Sequence, residues 1–120
     1  MDLGPQVLLD LVVQAAEEKK AFDILILHVS KLTTLCDYFV IMSGRSTTQV
    51  KAIAEYIQDK LTEQGIPVPR REGFRKGHWV LLDYGDIVVH VFQEAEREFY
   101  GLERLWRDAP IIKPAVSGLT

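Results

Sequence analysis

Leu8, Leu9, Val12, Val13 and Ala16 recur at helical spacing near the start of the chain, with Asp10, Gln14, Glu17 and Glu18 on the opposite side. That pattern predicts an amphipathic opening helix, and Pro5 suits its first turn, where no backbone N–H is needed. Ile24 to Val29 follow as a strand whose apolar residues on both faces point to an inner position in a sheet. A second strand, Tyr38 to Met42, runs into Ser43-Gly44-Arg45-Ser46, where Ser46 and Gln49 have the spacing of a capping box. The helix that starts there buries Val50, Ile53, Ala54, Ile57 and Leu61, keeps Lys51, Glu55, Gln58 and Asp59 wet, and ends at Gly65. Pro67 and Pro69 limit the next segment to an edge strand at best. Trp79 to Asp83 and Ile87 to Phe92 read as a hairpin turning through Tyr84 and Gly85, and Glu94 to Trp106 as a closing helix burying Ala95, Phe99, Leu102 and Trp106. Two early helices separated by strands predict an α/β fold, a single domain whose mixed β-sheet is packed with helices.

The 120 residues, 48% hydrophobic and 26% charged, fit one domain over residues 1–109, with a flexible tail over 110–120 that carries Pro110, Pro114 and Gly118. Cys36 is the single cysteine. It has no disulfide partner in the chain and reads as a buried apolar filler beside a core strand. No apolar run approaches the roughly 20 residues that span a bilayer. Met1 to Pro5 lack the positive start of an export signal, so a cytoplasmic protein is expected. A net charge of -3 argues against a protein that coats nucleic acid and suits a basic protein partner instead.

Alternation sorts the hairpin into two faces. A two- or four-residue loop places Leu82 opposite Ile87, Leu81 opposite Val88 and Trp79 opposite His90. Val80, Leu82, Ile87, Val89 and Val91 then form a core face. Trp79, Leu81, Asp83, Asp86, Val88 and His90 share the other, a mixture suited to an interaction patch. The plainer reading is that the closing helix covers this face, with Trp106 packed on it. Asp83 and Asp86 bracket Tyr-Gly as ordinary hairpin residues do, and no third acid or His/Cys group completes a metal shell beside them. No catalytic, metal or cofactor residue is assigned. His28, His78 and His90 read as structural or surface histidines. Ser43-Gly44-Arg45-Ser46 could cradle an anion at a helix start, but a serine cap explains it without a ligand. Arg70, Arg71, Arg75 and Lys76 form a basic loop able to touch RNA phosphates incidentally, though a solvated loop explains it better.

Residues 37–46, DYFVIMSGRS, and 79–92, WVLLDYGDIVVHVF, resemble the two signatures of the Iojap, or ribosomal silencing factor, family, and 99–106, FYGLERLW, are similar to its ending. The resemblance covers about residues 5–107. It implies a nucleotidyltransferase-like α/β fold and a non-enzymatic repressor that binds a large-subunit ribosomal protein at the intersubunit face and hinders joining of the small subunit. Ser43-Gly44 only echoes the Gly-Ser turn of true nucleotidyltransferases, and Pro67-Val68-Pro69-Arg70-Arg71 stands where their metal-binding acids belong. The resemblance raises the interaction-patch reading: Trp79 and Leu81 as apolar anchors, Asp83 and Asp86 as partners for basic residues, with Val88 and His90 beside them. It also implies a homodimer that could use the same patch. The alternatives are a large-subunit assembly factor and a nucleotidyltransferase-like enzyme.

Overall fold

The computed structural model describes residues 4–112. The elements are α1 (Pro5–Glu18), β1 (Phe22–His28), β2 (Tyr38–Gly44), α2 (Thr47–Glu63), β3 (Arg70–Glu72), β4 (Trp79–Asp83), β5 (Ile87–Gln93), α3 (Glu94–Tyr100), α4 (Leu102–Leu105) and β6 (Ile111–Ile112). They build one mixed sheet of six strands in the order β3-β4-β5-β2-β1-β6, in which β2 and β5 are parallel and every other pair is antiparallel. Parallel neighbours require a crossover, and α2 with the β3–β4 hairpin supplies it.

The α1 and α2 stripes cover one face of this sheet. Leu9, Val12, Val13 and Ala16 of α1 and Val50, Ile53, Ala54, Ile57 and Leu61 of α2 are buried against Ile26, Val40, Met42, Val80, Leu82, Ile87, Val89 and Val91. Ser46 caps α2 by accepting from Gln49 N at 3.1 Å, as the spacing predicts. Gln49 departs from the capping box: its carbonyl accepts from Arg45 N at 2.6 Å, and its amide donates to Lys19 and Lys20 carbonyls, each at 3.2 Å. One side chain thereby fastens the end of α1 to the start of α2. The prolines confine β3 to three exposed edge residues.

Three features differ from the sequence pattern. In the hairpin, Trp79 pairs with Phe92, Leu81 with His90, Leu82 with Val89 and Asp83 with Val88, so the register lies two residues from the expected one. Tyr84 N donates to Ile87 O at 2.9 Å, which makes Gly85 and Asp86 the two loop residues. Gly85 sits at φ +90 in the first loop position, a conformation costly for the tyrosine that the expected register would place there. A shift of two keeps every side chain on its face, and the sorting of the hairpin survives. Second, the closing helix breaks at Gly101, whose φ of +59 ends α3 and starts α4. The single stripe expected over Ala95, Phe99, Leu102 and Trp106 is therefore split. Ala95 and Phe99 are exposed, and Leu102 is buried. Third, Ile111 and Ile112, at the start of the segment read as a tail, pair with Leu27 and Ile26 of β1. Residues 113–120 lie outside the described residues.

Leu82 has no exposed surface and sits amid the α-covered core. Leu82→Ala should cost about 2 to 5 kcal/mol through lost burial and the cavity left behind. Urea unfolding followed by circular dichroism measures it, and a loss below about 1 kcal/mol would place Leu82 outside the core.

Candidate functional site

The sheet face turned away from α1 and α2 is built by the alternate residues of the same strands. Phe39 lies beside Val88 and Ile41 beside His90 across the parallel pair, and Leu81 lies opposite His90 across the hairpin. A smaller cluster of Leu27, Val29, Cys36, Ile41, Phe92, Leu102 and Ala109 is buried here, with Phe39, Trp79, Val88 and Trp106 packed against it. Cover comes from α4 and the turn that follows it. Trp106 meets Phe39 edge to face at 5.2 Å, so the plainer reading of this face is correct for that part of it.

Beyond Trp106 the cover stops and a groove of about 350 Å³ opens. Phe39, Leu81, Val88 and His90 line it from the sheet, Thr33, Leu35 and Cys36 from the segment joining β1 to β2, and Asp83, Arg70 and Glu72 from the adjoining strands. Leu35 is 87% exposed, which leaves a large aliphatic side chain uncovered at the groove. The aromatic surface continues past it. Trp79 stacks on Phe92 at 4.8 Å and contacts Tyr100 at 4.8 Å, beside a second depression of about 300 Å³ that also takes in Lys76, His78 and Glu96.

Of the six residues selected from sequence, Leu81, Asp83, Val88 and His90 share the groove. Trp79 adjoins it: its indole N–H donates to His90 Nδ1 at 3.1 Å, a diagonal reach across the hairpin. Asp86 does not line it, and its backbone carbonyl instead accepts from Asp37 and Tyr38 N–H. Asp83 accepts from Gly85 N at 2.8 Å, the local bond of a turn-forming aspartate. His90 is only 4% exposed and contributes from beneath the face.

The charge at the groove is acidic. Burial pushes the Cys36 thiol above its ordinary pKa, and the carboxylates of Asp83, Asp37 and Asp86 push it further, so three negative charges converge on the end of the groove where Cys36 lies. Arg70 is drawn into a 2.5 Å pair with Glu72, and Arg71 lies over the Phe74 ring at 3.9 Å. Among the described residues, no three His, Cys, Asp or Glu side chains gather into a group able to hold a metal ion. No described helix is long and apolar enough to cross a membrane.

A family model described as "Ribosomal silencing factor during starvation" matches residues 4–119. The chain belongs to the ribosomal silencing factor family. It is 47% identical over 104 residues to "Ribosomal silencing factor RsfS" of Bacillus subtilis (strain 168), covering 87% of this chain and 88% of that one. It is 32% identical to the mouse protein named "Mitochondrial assembly of ribosomal large subunit protein 1", over 87% of this chain and 47% of that one. A crystal structure of a Chromobacterium violaceum protein, 39% identical and covering 98% of both chains, superposes with a TM-score of 0.85.

Sequence reasoning placed Trp106 on this face but missed Phe39, Leu35 and Cys36 as neighbours of the hairpin patch. Alternation along β2 places Phe39 and Ile41 on one face, but nothing local tells which strand lies alongside. Burial holds the His90 pKa down, from 6.5 to about 4. Between those values the unfolded chain binds a proton that the folded one refuses, so stability falls as pH drops through 6.5 toward 4, by on the order of 3 kcal/mol in all. Urea unfolding across this range should show that loss, and His90→Phe should remove most of it. Equal pH slopes in parent and variant would contradict a histidine held neutral by the fold.

Proposed function

We propose that this protein represses translation by seating the groove-bearing face on a basic ribosomal protein of the large subunit, at the surface that meets the small subunit. The observation that carries this reading is the half-covered apolar groove with carboxylates converging at one end. Trp79, Leu81 and Val88 supply apolar anchorage, and His90 holds Trp79 in place from beneath. Asp83 and Asp86 pair with Arg or Lys side chains of the partner. The family and the ribosomal names of its members support the ribosome as the target. The factor is not an enzyme in this reading, and it acts in the cytoplasm without nucleotide, metal or cofactor. Arg75 and Lys76 can touch ribosomal RNA incidentally. A second copy of the chain can use the same face, so a homodimer would compete with docking.

Repression then follows from occupancy. A body with a radius of gyration of 13.2 Å is large enough to obstruct a close-packed subunit junction. Factor and small subunit draw on the same free large subunits, and each reduces the population open to the other by mass action. The name of the mouse relative favours a second reading, an assembly factor for the large subunit. Sedimentation of cell extracts separates the two: accumulation of incomplete large subunits on depletion of the factor favours assembly, and a higher fraction of joined ribosomes with normal large subunits favours repression.

Trp79→Ala should weaken binding to purified large subunits by about 2 kcal/mol or more, roughly thirtyfold, while leaving the fold intact. A folded variant that binds normally would remove Trp79 from the contact. In a light-scattering association assay, the factor should inhibit stoichiometrically when added before the small subunit and weakly when added after joining. Equal inhibition in both orders, or inhibition far below one factor per large subunit, would contradict steric blocking.

A further inference from the structure

His90 carries a hydrogen-bond donor that no described residue uses. An indole N–H can only donate, so the Trp79 bond at 3.1 Å makes His90 Nδ1 an acceptor. A neutral imidazole has one ring hydrogen, which must then sit on Nε2. Burial keeps the ring neutral near pH 7. Nε2, the ring nitrogen farther from the backbone, is buried and has no hydrogen-bond partner. Phe39 at 4.8 Å, Trp79 at 5.9 Å and Phe92 at 6.3 Å flank the ring, and an aromatic ring is at most a weak acceptor. His90 also lines the groove, beside Leu81 across the hairpin and Ile41 across the parallel pair. Buried donors in native proteins are almost always paired, so an unpaired one at the base of an open groove marks the place of an absent acceptor.

We infer that His90 Nε2–H is the specificity donor of the docking groove, taking an oxygen acceptor, a backbone or side-chain carbonyl or a hydroxyl, from the segment of the partner protein that enters beside Leu81 and Val88. This rests on the docking reading above and adds the chemistry of what enters. Asp83, at the same groove, selects a basic side chain on that segment, and its negative charge disfavours RNA. Because Nε2 is closed to water in the free protein, the entering segment must displace a side chain that lines the groove. A segment without an acceptor leaves the donor buried and unpaired. The groove therefore discriminates by penalty as well as by contact.

The test measures binding of purified large subunits by the parent protein, His90→Phe, His90→Gln, Trp79→Ala and Asp83→Ala. His90→Phe keeps an aromatic ring and deletes the donor, and should lose about tenfold or more in affinity. His90→Gln places an amide nitrogen near the position of Nε2 and an oxygen able to accept from Trp79, and should recover most of that loss, which a merely structural role would not require. Parent-like binding by His90→Phe, while Trp79→Ala and Asp83→Ala bind weakly, would overturn this inference and leave the docking reading standing. Failure of the parent to bind large subunits would overturn both. A loss by His90→Phe that is equal toward protein-free ribosomal RNA would overturn the assignment of a protein partner. Nitrogen-15 spectra of histidine-labelled parent protein test the donor without any variant: a proton on Nε2 at neutral pH is expected, and a proton on Nδ1 would overturn the proposal.

Discussion

The parallel pairing of β2 with β5 is the contact on which the other parts depend, because it joins two strands that are far apart in sequence and have no turn between them. Such a pair forms only if the intervening chain crosses over one face of the sheet, and α2 does so, packing Val50, Ile53 and Ile57 onto Val40, Met42, Val89 and Val91. That crossover commits the long helices to one side. The opposite side is left to the segment joining β1 to β2 and the short chain that remains after β5, which must cover alternate residues of the same strands. The incomplete cover, and with it the groove, follows from how the crossover divides the chain.

The C-terminal part covers this face economically. Gly101 turns the chain between α3 and α4, so that Leu102 and Trp106 reach the sheet while Phe99 and Leu105 stay 77% and 75% exposed. Helix α3, which buries no residue, is secured by polar contacts rather than by an apolar stripe. Arg97 donates to Glu103 at 2.7 Å, to the Asp23 carbonyl at 2.6 Å and to Ser43 Oγ at 2.9 Å, tying the segment to β1 and β2. Partly buried charge-assisted bonds of this kind resist displacement more than exposed ion pairs do. The final strand then reaches β1 through the Pro110 carbonyl, which accepts from His28 N–H at 3.0 Å.

At the groove, the demands of folding and binding oppose one another. An apolar residue at position 90 would pack among Phe39, Trp79 and Phe92 without a buried ring nitrogen of its own, and it would free the fold from the cost of keeping an imidazole neutral as pH falls, though it would take the acceptor from the Trp79 indole. The histidine supplies an acceptor for the Trp79 indole and a spare donor on its far side. A polar group unsatisfied in the free protein is the kind of local inconsistency that binding surfaces retain.

Local order was legible in the residues alone. Helical spacing located α1 and α2, Ser46 and Gly65 marked the ends of α2, and alternation separated Leu82 and Val89 from Leu81 and Val88, because period and cap chemistry act within a few residues. Even the two-residue error in hairpin register left the faces intact, since strand side chains repeat with period two. Family membership was legible too, in the long hairpin segment and the strand before α2. Which strands lie side by side was not. Phe39 beside Val88, Leu35 and Cys36 at the groove, Trp106 over Phe39, and the pairing of Ile111 and Ile112 with β1 all join residues distant along the chain. Their proximity is decided by how the whole sheet buries its two faces, a global balance of area and loop closure that no window of sequence contains.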